Sequence, residues 1–363
     1  MSDAGFTPPP YPHDRLAGAK AKAEAHDGGM VDLSIGTPCD PPPEAVVAAL
    51  ASSGAERGYP FSVGSVAYRE AAARWLLRRL GVSVDVGAIA ACVGTKEFVA
   101  TLPQWLRLRT PRRDTVLYPA VSYPTYAMGA VLAGCRPVPY ASLDEIAEDD
   151  AARALCLWVN SPGNPAGQVD DLDAFAAWGR DRGVLVCSDE CYVEFTWAGP
   201  PRTVLASGTE GVLAVHSLSK RSNMAGVRAG FYAGDPEVVR YLSEVRKHVG
   251  LMVPGPVQHA AVAAWDDDEH VEAQRARYRE RMARFADVLG ALGVHVPLPE
   301  GGFYLWAQAP DGDAWGFTER LAADGGCLVS PGDFYGEAAV GFVRVAMVQP
   351  TERLDLVARR LGV

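Results

Sequence analysis

A short polar run in the second half of the chain has the residue types and the spacing to hold an amine beside a phosphate. Ser217, Ser219 and Lys220 follow the apolar stretch 212–215, and Arg228 comes eight residues after the lysine. Hydroxyl and guanidinium groups bind phosphate, and a lysine amine can form a Schiff base with a carbonyl compound. The pattern S-x-S-K alone fits a solvated surface equally well, but this run lies between two strand-like segments. It therefore indicates a site.

Other polar clusters follow predicted strands of the large domain. Residues 160–167 read N-S-P-G-N-P-A-G, residues 188–192 read S-D-E-C-Y, and residues 118–126 contain two prolines and three tyrosines. The turn G-T-K-E at 94–97 leads into a helix, whose first N–H groups and positive dipole end suit a phosphate. Each cluster taken alone can also be a plain turn. Because ligands of parallel sheets gather at the carboxyl ends of the strands, the clusters together predict one site.

Apolar strands alternate with helical spacing through the middle of the chain, which is typical of an α/β domain with a mostly parallel sheet. The predicted strands are 88–93, 115–117, 136–139, 154–159, 184–188, 212–216 and 229–233, and the predicted helices are 44 onward, 66–80, 98–108, 126–133, 172–182 and 236–249.

The two ends of the chain differ from this middle region. Residues 1–13 are rich in proline and predict an extended arm, followed by a helix at 15–26 and a strand at 31–36. A long charged helix at 269–292 precedes short strand-like and helical segments, predicted at 294–296, 303–306, 318–323, 327–329, 342–346 and the C-terminus. We expect an N-terminal arm with part of the small domain at 1–43, a large domain at 44–256 and a small α+β domain at 257–363.

Composition limits the classes of function. The 363 residues include 34 basic and 44 acidic side chains, so the net charge of −10 argues against binding to nucleic acid or to anionic membranes. A hydrophobic fraction of 48% predicts a globular protein, which we expect in the cytoplasm. The seven cysteines have no zinc spacing, so buried reduced thiols and no metal are expected.

The ordered set N-x-P-x-N-P-x-G, S-D-E-x-Y and S-x-S-K with a following arginine resembles the class I/II aminotransferases of fold type I. The resemblance runs over about residues 31–345. It implies the cofactor pyridoxal 5′-phosphate, small amino acid and 2-oxo acid substrates, and a large domain with a mostly parallel seven-stranded sheet beside the small α+β domain.

The resemblance also implies roles for individual residues. Lys220 would form the Schiff base with the cofactor and move the proton during amino transfer. Asp189 would pair with the pyridine nitrogen and keep it protonated. Asn164 and Tyr192 would hydrogen-bond the phenolic oxygen, and Tyr123 would stack on the ring.

Phosphate and substrate contacts follow from the same resemblance. The phosphate would be bound by Ser217, Ser219, Arg228, backbone N–H groups of Gly94, Thr95 and Lys96, and Tyr59 of a neighbouring subunit. Tyr59 thus implies a homodimer with shared active sites. Arg344, together with Asn164, would bind the substrate α-carboxylate, and Gly36 would let the N-terminal loop close over it.

Within this family, the run V-D-L-S-I-G-T-P at 31–38 and the residues 158–167 are most similar to bacterial N-succinyldiaminopimelate aminotransferases. That resemblance implies glutamate as amino donor and a role in diaminopimelate and lysine biosynthesis. Departures at 67–69 and at Pro42 and Pro43 leave open another glutamate- or aspartate-dependent aminotransferase, or a carbon–sulfur β-lyase. A non-catalytic homologue is disfavoured by the complete lysine, aspartate and arginine set. Lys96 and Arg221 are the nearest cations for a distal carboxylate, although both can also be solvated or phosphate-side charges.

Overall fold

The computed structural model describes residues 5–363, and the first four residues of the predicted arm lie outside this range. Its strands are β1 (Val31–Asp32), β2 (Ile89–Cys92), β3 (Thr115–Pro119), β4 (Arg136–Tyr140), β5 (Ala154–Asn160), β6 (Leu185–Asp189), β7 (Val212–Ser217), β8 (Gly230–Gly234), β9 (Tyr304–Gln308), β10 (Cys327–Leu328), β11 (Ser330–Pro331) and β12 (Phe342–Ala346). Its helices are α1 (Ala17–Glu24), α2 (Glu44–Ala51), α3 (Val66–Leu80), α4 (Thr95–Arg109), α5 (Thr125–Leu132), α6 (Glu148–Arg153), α7 (Leu172–Arg182), α8 (Leu218–Arg221), α9 (Pro236–Val249), α10 (Gly255–Asp266), α11 (Glu269–Ala291), α12 (Ala314–Gly325) and α13 (Thr351–Leu361).

Seven strands form the large sheet in the order β2-β8-β7-β6-β5-β3-β4. Strand β8 runs antiparallel to β2 and β7, and the other neighbours are parallel. All residues of β5 and β7 are buried, because helices cover both faces of the sheet. This explains why these strands are continuously apolar. The expected α/β fold with a mostly parallel seven-stranded sheet is confirmed.

The carboxyl ends of three central strands bring predicted site residues to one edge. Strand β5 ends at Asn160, β6 ends at Asp189, and β7 ends at Ser217. Asn160 and Asp189 are paired in register. Residues far apart in sequence therefore meet at this edge, as the position of the polar clusters predicted.

Several helices begin and end where local chemistry predicts. Helix α3 has the predicted bounds: the Ser65 hydroxyl accepts the N–H of Tyr68 at 3.2 Å, and Gly81 ends the helix with φ of 70°. Helix α4 begins at Thr95, three residues earlier than predicted, with Gly94 as N-cap and no side-chain cap. Its first N–H groups are therefore available to an external ligand.

Several of the sequence expectations need correction, and the short helices α6 and α8 were not predicted. Helix α10 was not predicted; it packs against α2 and α3, and its Trp265 lies in the core beside the large sheet. A helix buried on several faces has no amphipathic period, which explains the omission. Residues 294–296 form no strand in the structure, and the strand predicted at 31–36 ends at Asp32.

The second core is built by the C-terminal region together with the segment around β1. Strands β11, β12 and β9 form an antiparallel sheet, and β1 pairs in parallel with β10. Side chains of α11, α12 and α13 pack in this core. The division at residues 43 and 256 stays a prediction. Over residues 5–363 no helix combines the length and the apolar character needed to cross a bilayer.

Candidate active site

A cavity of about 440 Å³ lies at the carboxyl edge of the large sheet. Most of the predicted site residues line it: Gly36, Thr95, Lys96, Tyr123, Asn164, Asp189, Tyr192, Ser217, Ser219, Lys220, Arg228 and Arg344. Gly94 lies directly behind the wall, and Tyr59 lies elsewhere on the chain surface. The fold thus brings together residues that are spread over more than 300 positions.

Lys220 is positioned by the short helix α8, which starts where β7 ends. The Ser217 hydroxyl caps this helix by accepting the N–H of Ser219 at 3.1 Å. The Lys220 ammonium donates a hydrogen bond to the carbonyl oxygen of Gly36. The lysine therefore links the end of the sheet to the loop that follows β1.

The environment of Lys220 shifts its protonation equilibrium toward the neutral amine. Burial lowers the pKa of Lys220 to about 8, and the positive charges of Arg344 and Arg228 add to the lowering. Within the described chain no carboxylate forms a salt bridge with Lys220. A buried amine with a lowered pKa is suited to nucleophilic attack and to proton transfer.

Asp189 is a buried carboxylate at the end of β6. Its Oδ2 accepts a hydrogen bond from the Tyr126 hydroxyl at 3.0 Å, and its Oδ1 accepts the N–H of Cys191 at 3.2 Å. Burial raises the pKa of Asp189, and these hydrogen bonds oppose the rise. In the part of the chain that the structure describes, no cation forms a salt bridge with this carboxylate. Such a carboxylate is suited to pair with a protonated nitrogen of a ligand.

Groups that bind anions converge at another part of the wall. Arg228 donates to the Ser219 hydroxyl at 3.3 Å, and the uncapped start of α4 lies beside it. A Cβ on Gly94 would lie 2.2 Å from Nη2 of Arg228, and the φ of Gly94 is 80°. Glycine at this position therefore lets the guanidinium approach the helix start. Hydroxyl, guanidinium and backbone N–H donors together form an anion site.

Arg344 is buried in β12 and held by four neighbours. It donates from Nη1 to Oδ1 of Asn164 at 2.9 Å and from Nη2 to the carbonyl oxygen of Ser34 at 2.5 Å. Its Cζ lies 4.3 Å from the ring centroid of Tyr304 and 4.9 Å from that of Tyr335. The remaining N–H groups can form a fork for a carboxylate.

The N-terminal arm contributes to the wall on the side of Lys96. The ammonium of Lys96 lies 3.3 Å from the Tyr11 hydroxyl and 5.5 Å from the ring centroid of Tyr123. The hydroxyls of Tyr11 and Tyr123 are 2.9 Å apart. Among residues 5–363 Lys96 forms no salt bridge, so a cation faces the cavity between two phenol groups.

Two residues weighed from the sequence lie outside this cavity. Tyr59 is 97% exposed, in the loop before α3. Arg221 is buried and bonded to Oε1 of Glu194 at 2.9 Å and to Oδ1 of Asp268 at 2.8 Å. The hypothesis that Arg221 binds a distal carboxylate is therefore wrong, because its charge is neutralised in an internal ion network.

Sequence reasoning missed several residues of the wall. Tyr126, Asn160, Tyr304 and two residues of the arm, Tyr11 and His13, line the cavity but were not assigned to it. Tyr126 and Asn160 lie in polar clusters that the sequence did single out. Tyr304 looks like an ordinary strand residue, and nothing local in the arm indicates where it packs.

The donor set of the cavity fits pyridoxal 5′-phosphate, the cofactor that the resemblance implies. An anion site suits its phosphate, the carboxylate of Asp189 suits its ring nitrogen, and the amine of Lys220 suits its aldehyde. The charges of the buried groups agree with this assignment. Within the described residues, Asp189 forms no salt bridge with a cation, and Lys220 forms none with a carboxylate. Each group can therefore pair with a ligand.

Comparisons with known proteins agree with this chemistry. The family description "Aminotransferase class I and II" matches residues 28–361. The 4-dedimethylamino-4-oxo-anhydrotetracycline transaminase OxyQ of Streptomyces rimosus is 45% identical over 97% of this chain and 99% of its own length. An LL-diaminopimelate aminotransferase of Desulforudis audaxviator is 35% identical over 97% and 95%. The solved structure of a probable N-succinyldiaminopimelate aminotransferase from Thermus thermophilus has a TM-score of 0.87 at 32% identity, covering 96% of this chain and 98% of that one. The chain belongs to the class I and II aminotransferases, enzymes that depend on pyridoxal 5′-phosphate.

Proposed function

We propose that this aminotransferase uses glutamate as amino donor and N-succinyl-2-amino-6-oxopimelate as acceptor, in the cytoplasmic synthesis of diaminopimelate and lysine. The observation that carries the proposal is Lys96, a cation without a carboxylate partner in the described chain, in the same cavity as Lys220 and Arg344. The named relatives that act on diaminopimelate compounds support it.

Each step of amino transfer can be assigned to a group in the cavity. Bound pyridoxal 5′-phosphate supplies an electron sink for the electron pair left at the substrate Cα when its proton leaves. Arg344 binds the α-carboxylate and so orients the substrate. Lys220, as a neutral amine, accepts the Cα proton and later returns it. Asp189 would keep the ring nitrogen protonated, and Tyr192 and Asn164 would donate to the phenolic oxygen.

Lys96 is the residue best suited to the distal carboxylate. Both proposed substrates have a second carboxylate, but at different distances from Cα. A lysine has a flexible stem and a compact charge, so it can follow carboxylates at different depths better than a rigid guanidinium. The adjacent phenol groups of Tyr11 and Tyr123 hold the ammonium in the cavity without neutralising it.

The substitution Lys96→Ala is expected to raise KM for succinyldiaminopimelate by about tenfold or more, equivalent to about 1.4 kcal/mol. Reaction with alanine, which has no distal carboxylate, should change little. Steady-state kinetics with both donors check this, with the exposed Lys247→Ala as a matched control. An equal loss with every donor would assign Lys96 to the cofactor instead.

A second candidate comes from the relative with 45% identity. That protein is a transaminase of 4-dedimethylamino-4-oxo-anhydrotetracycline, and an aromatic ligand would pack on Tyr11 and Tyr123. A panel of half-reactions separates the candidates: the cofactor absorbance is followed with glutamate, aspartate, aromatic amino acids and succinyldiaminopimelate. Fastest conversion by succinyldiaminopimelate and glutamate supports the first proposal. Release of pyruvate and thiol from a cysteine conjugate would indicate a β-lyase.

We also propose a homodimer in which Tyr59 of one chain hydrogen-bonds the phosphate bound by the other. The support is its exposure: Tyr59 is 97% exposed, and Phe61 in the same loop is 71% exposed. Dilution to monomer should then release cofactor and activity together.

The variant Tyr59→Phe is expected to weaken cofactor affinity by about 1.5–3 kcal/mol, because one hydrogen bond to a charged group is lost. Equilibrium dialysis measures this loss, and Tyr118→Phe provides a hydroxyl deletion outside the cavity wall for comparison. A monomer that is fully active by light scattering and assay would contradict the shared site.

A further inference from the structure

The side chain of Tyr304 lies against three residues to which roles are assigned above. Its hydroxyl is 2.8 Å from the hydroxyl of Tyr192, and its ring centroid is 4.3 Å from Cζ of Arg344. A Cβ on Gly36 would lie 2.1 Å from the same hydroxyl, so the backbone of the closing loop packs on it. Tyr304 is 1% exposed, so the surrounding residues restrict the movement of its side chain.

We propose that Tyr304 is a positioning residue with two separable parts: its hydroxyl orients Tyr192 for the cofactor, and its ring orients Arg344 for the substrate carboxylate. The inference rests on the roles proposed for Tyr192 and Arg344. It assigns a role to a residue that does not itself react.

The hydroxyl part follows from hydrogen-bond chemistry. A hydroxyl that accepts one hydrogen bond becomes a stronger donor in the next, because the chain of bonds polarises each member. Tyr192 is buried, and the Tyr304 hydroxyl is its hydrogen-bond partner in the structure. When Tyr192 donates to the phenolic oxygen, a bond from Tyr304 strengthens that donation and keeps the Tyr192 hydroxyl in one orientation.

The ring part follows from the way the guanidinium is held. Arg344 lies against the rings of Tyr304 and Tyr335, and both rings contribute cation–π attraction in a buried environment. Hydrogen bonds to Asn164 and Ser34 fix two edges of the group. Without the Tyr304 ring, the guanidinium keeps its charge but loses the nearer of its two ring contacts, so the carboxylate fork is less well oriented.

The hydroxyl is tested with Tyr304→Phe in the holoenzyme. We expect kcat to fall about tenfold with KM for glutamate nearly unchanged. We also expect the pH at which the bound cofactor changes its absorbance to rise by about half a unit, because weaker donation disfavours negative charge on the phenolic oxygen. An unchanged titration together with an unchanged kcat would overturn this part.

The ring is tested with Tyr304→Leu, or with Tyr304→Met if the first variant gives little soluble protein. Binding of glutarate, a dicarboxylate without an amino group, should weaken about tenfold by isothermal titration, and KM for glutamate should rise alongside. Tyr118→Leu is the control, since it removes a tyrosine ring that lies outside the cavity wall. Unchanged glutarate affinity in the Tyr304 variant would overturn the ring part.

Two reference variants separate this inference from the roles on which it rests. Tyr192→Phe should shift the absorbance titration, and Arg344→Lys should weaken glutarate binding. If both references respond and the Tyr304 variants do not, Tyr304 has no positioning role while the proposed roles stand. If neither reference responds, the proposed roles fail, and the inference fails with them.

Discussion

Replacement of Lys220 by alanine is expected to lower kcat for amino transfer by about 10⁵-fold or more, because the same amine is proposed to bind the cofactor and to move the Cα proton. Single-turnover measurement with glutamate checks the loss, and Lys247→Ala should retain wild-type turnover. Borohydride reduction of the holoenzyme followed by peptide mapping should place the pyridoxyl group on Lys220. The sequence has five lysines, so the assignment is unambiguous, and a label on Lys96 would contradict it.

The lowered pKa of Lys220 predicts a pH dependence of the rate of cofactor binding, which can be measured without turnover. The amine attacks the cofactor aldehyde only when neutral, and its pKa of about 8 sets the neutral fraction. The rate at which apoenzyme recombines with the cofactor should therefore rise about tenfold per pH unit below 8 and level off above it. Absorbance stopped-flow follows the reaction. A rate that keeps rising toward pH 10 would show that burial does not lower this pKa.

Asp189→Ala is expected to reduce kcat by about 10³-fold or more while the protein still binds the cofactor. The contacts of Arg228 and of the α4 start remain for the phosphate, but no carboxylate keeps the ring nitrogen protonated. Single-turnover kinetics and equilibrium dialysis of the same preparation separate the two effects.

Tyr126→Phe is the matched control for Asp189. It removes the 3.0 Å hydrogen bond to the carboxylate but keeps the charge, so a loss of a few-fold is expected. Turnover of Asp189→Ala within tenfold of wild type would show that another group protonates the ring.

The large sheet could be predicted from the sequence because its signals are local. Each strand is a short apolar run bounded by turn residues, and Ser65 and Gly81 mark the ends of α3. Most residues of the cavity wall could be predicted for the same reason, since they follow strand ends in ordered motifs. Helix α10 could not, because burial on several faces removes the period by which a helix is recognised.

Contacts between residues that are distant in the sequence could not be predicted either. The charge of Arg221 suggested an exposed or ligand-binding role, yet Glu194 and Asp268 neutralise it inside the protein. Tyr304 became part of the site only because β9 places its hydroxyl beside that of Tyr192, a residue that follows β6. Such relations depend on tertiary structure, and neither spacing nor residue type reports them.

The arm that carries Tyr11 and His13 has a consequence for how new substrates are acquired. Tyr11 is 44% exposed, and the salt bridge of Arg15 with Asp333 at 2.9 Å involves a side chain that is 49% exposed. Substitutions there remove little buried surface, whereas changes at the strand ends disturb the core. Mutations in the arm can thus change the part of the cavity wall formed by Tyr11 and His13, while the residues at the strand ends stay unchanged. For laboratory evolution of this enzyme, a small library over residues 9–15, which stops before the buried Leu16, offers altered selectivity at low risk of misfolding.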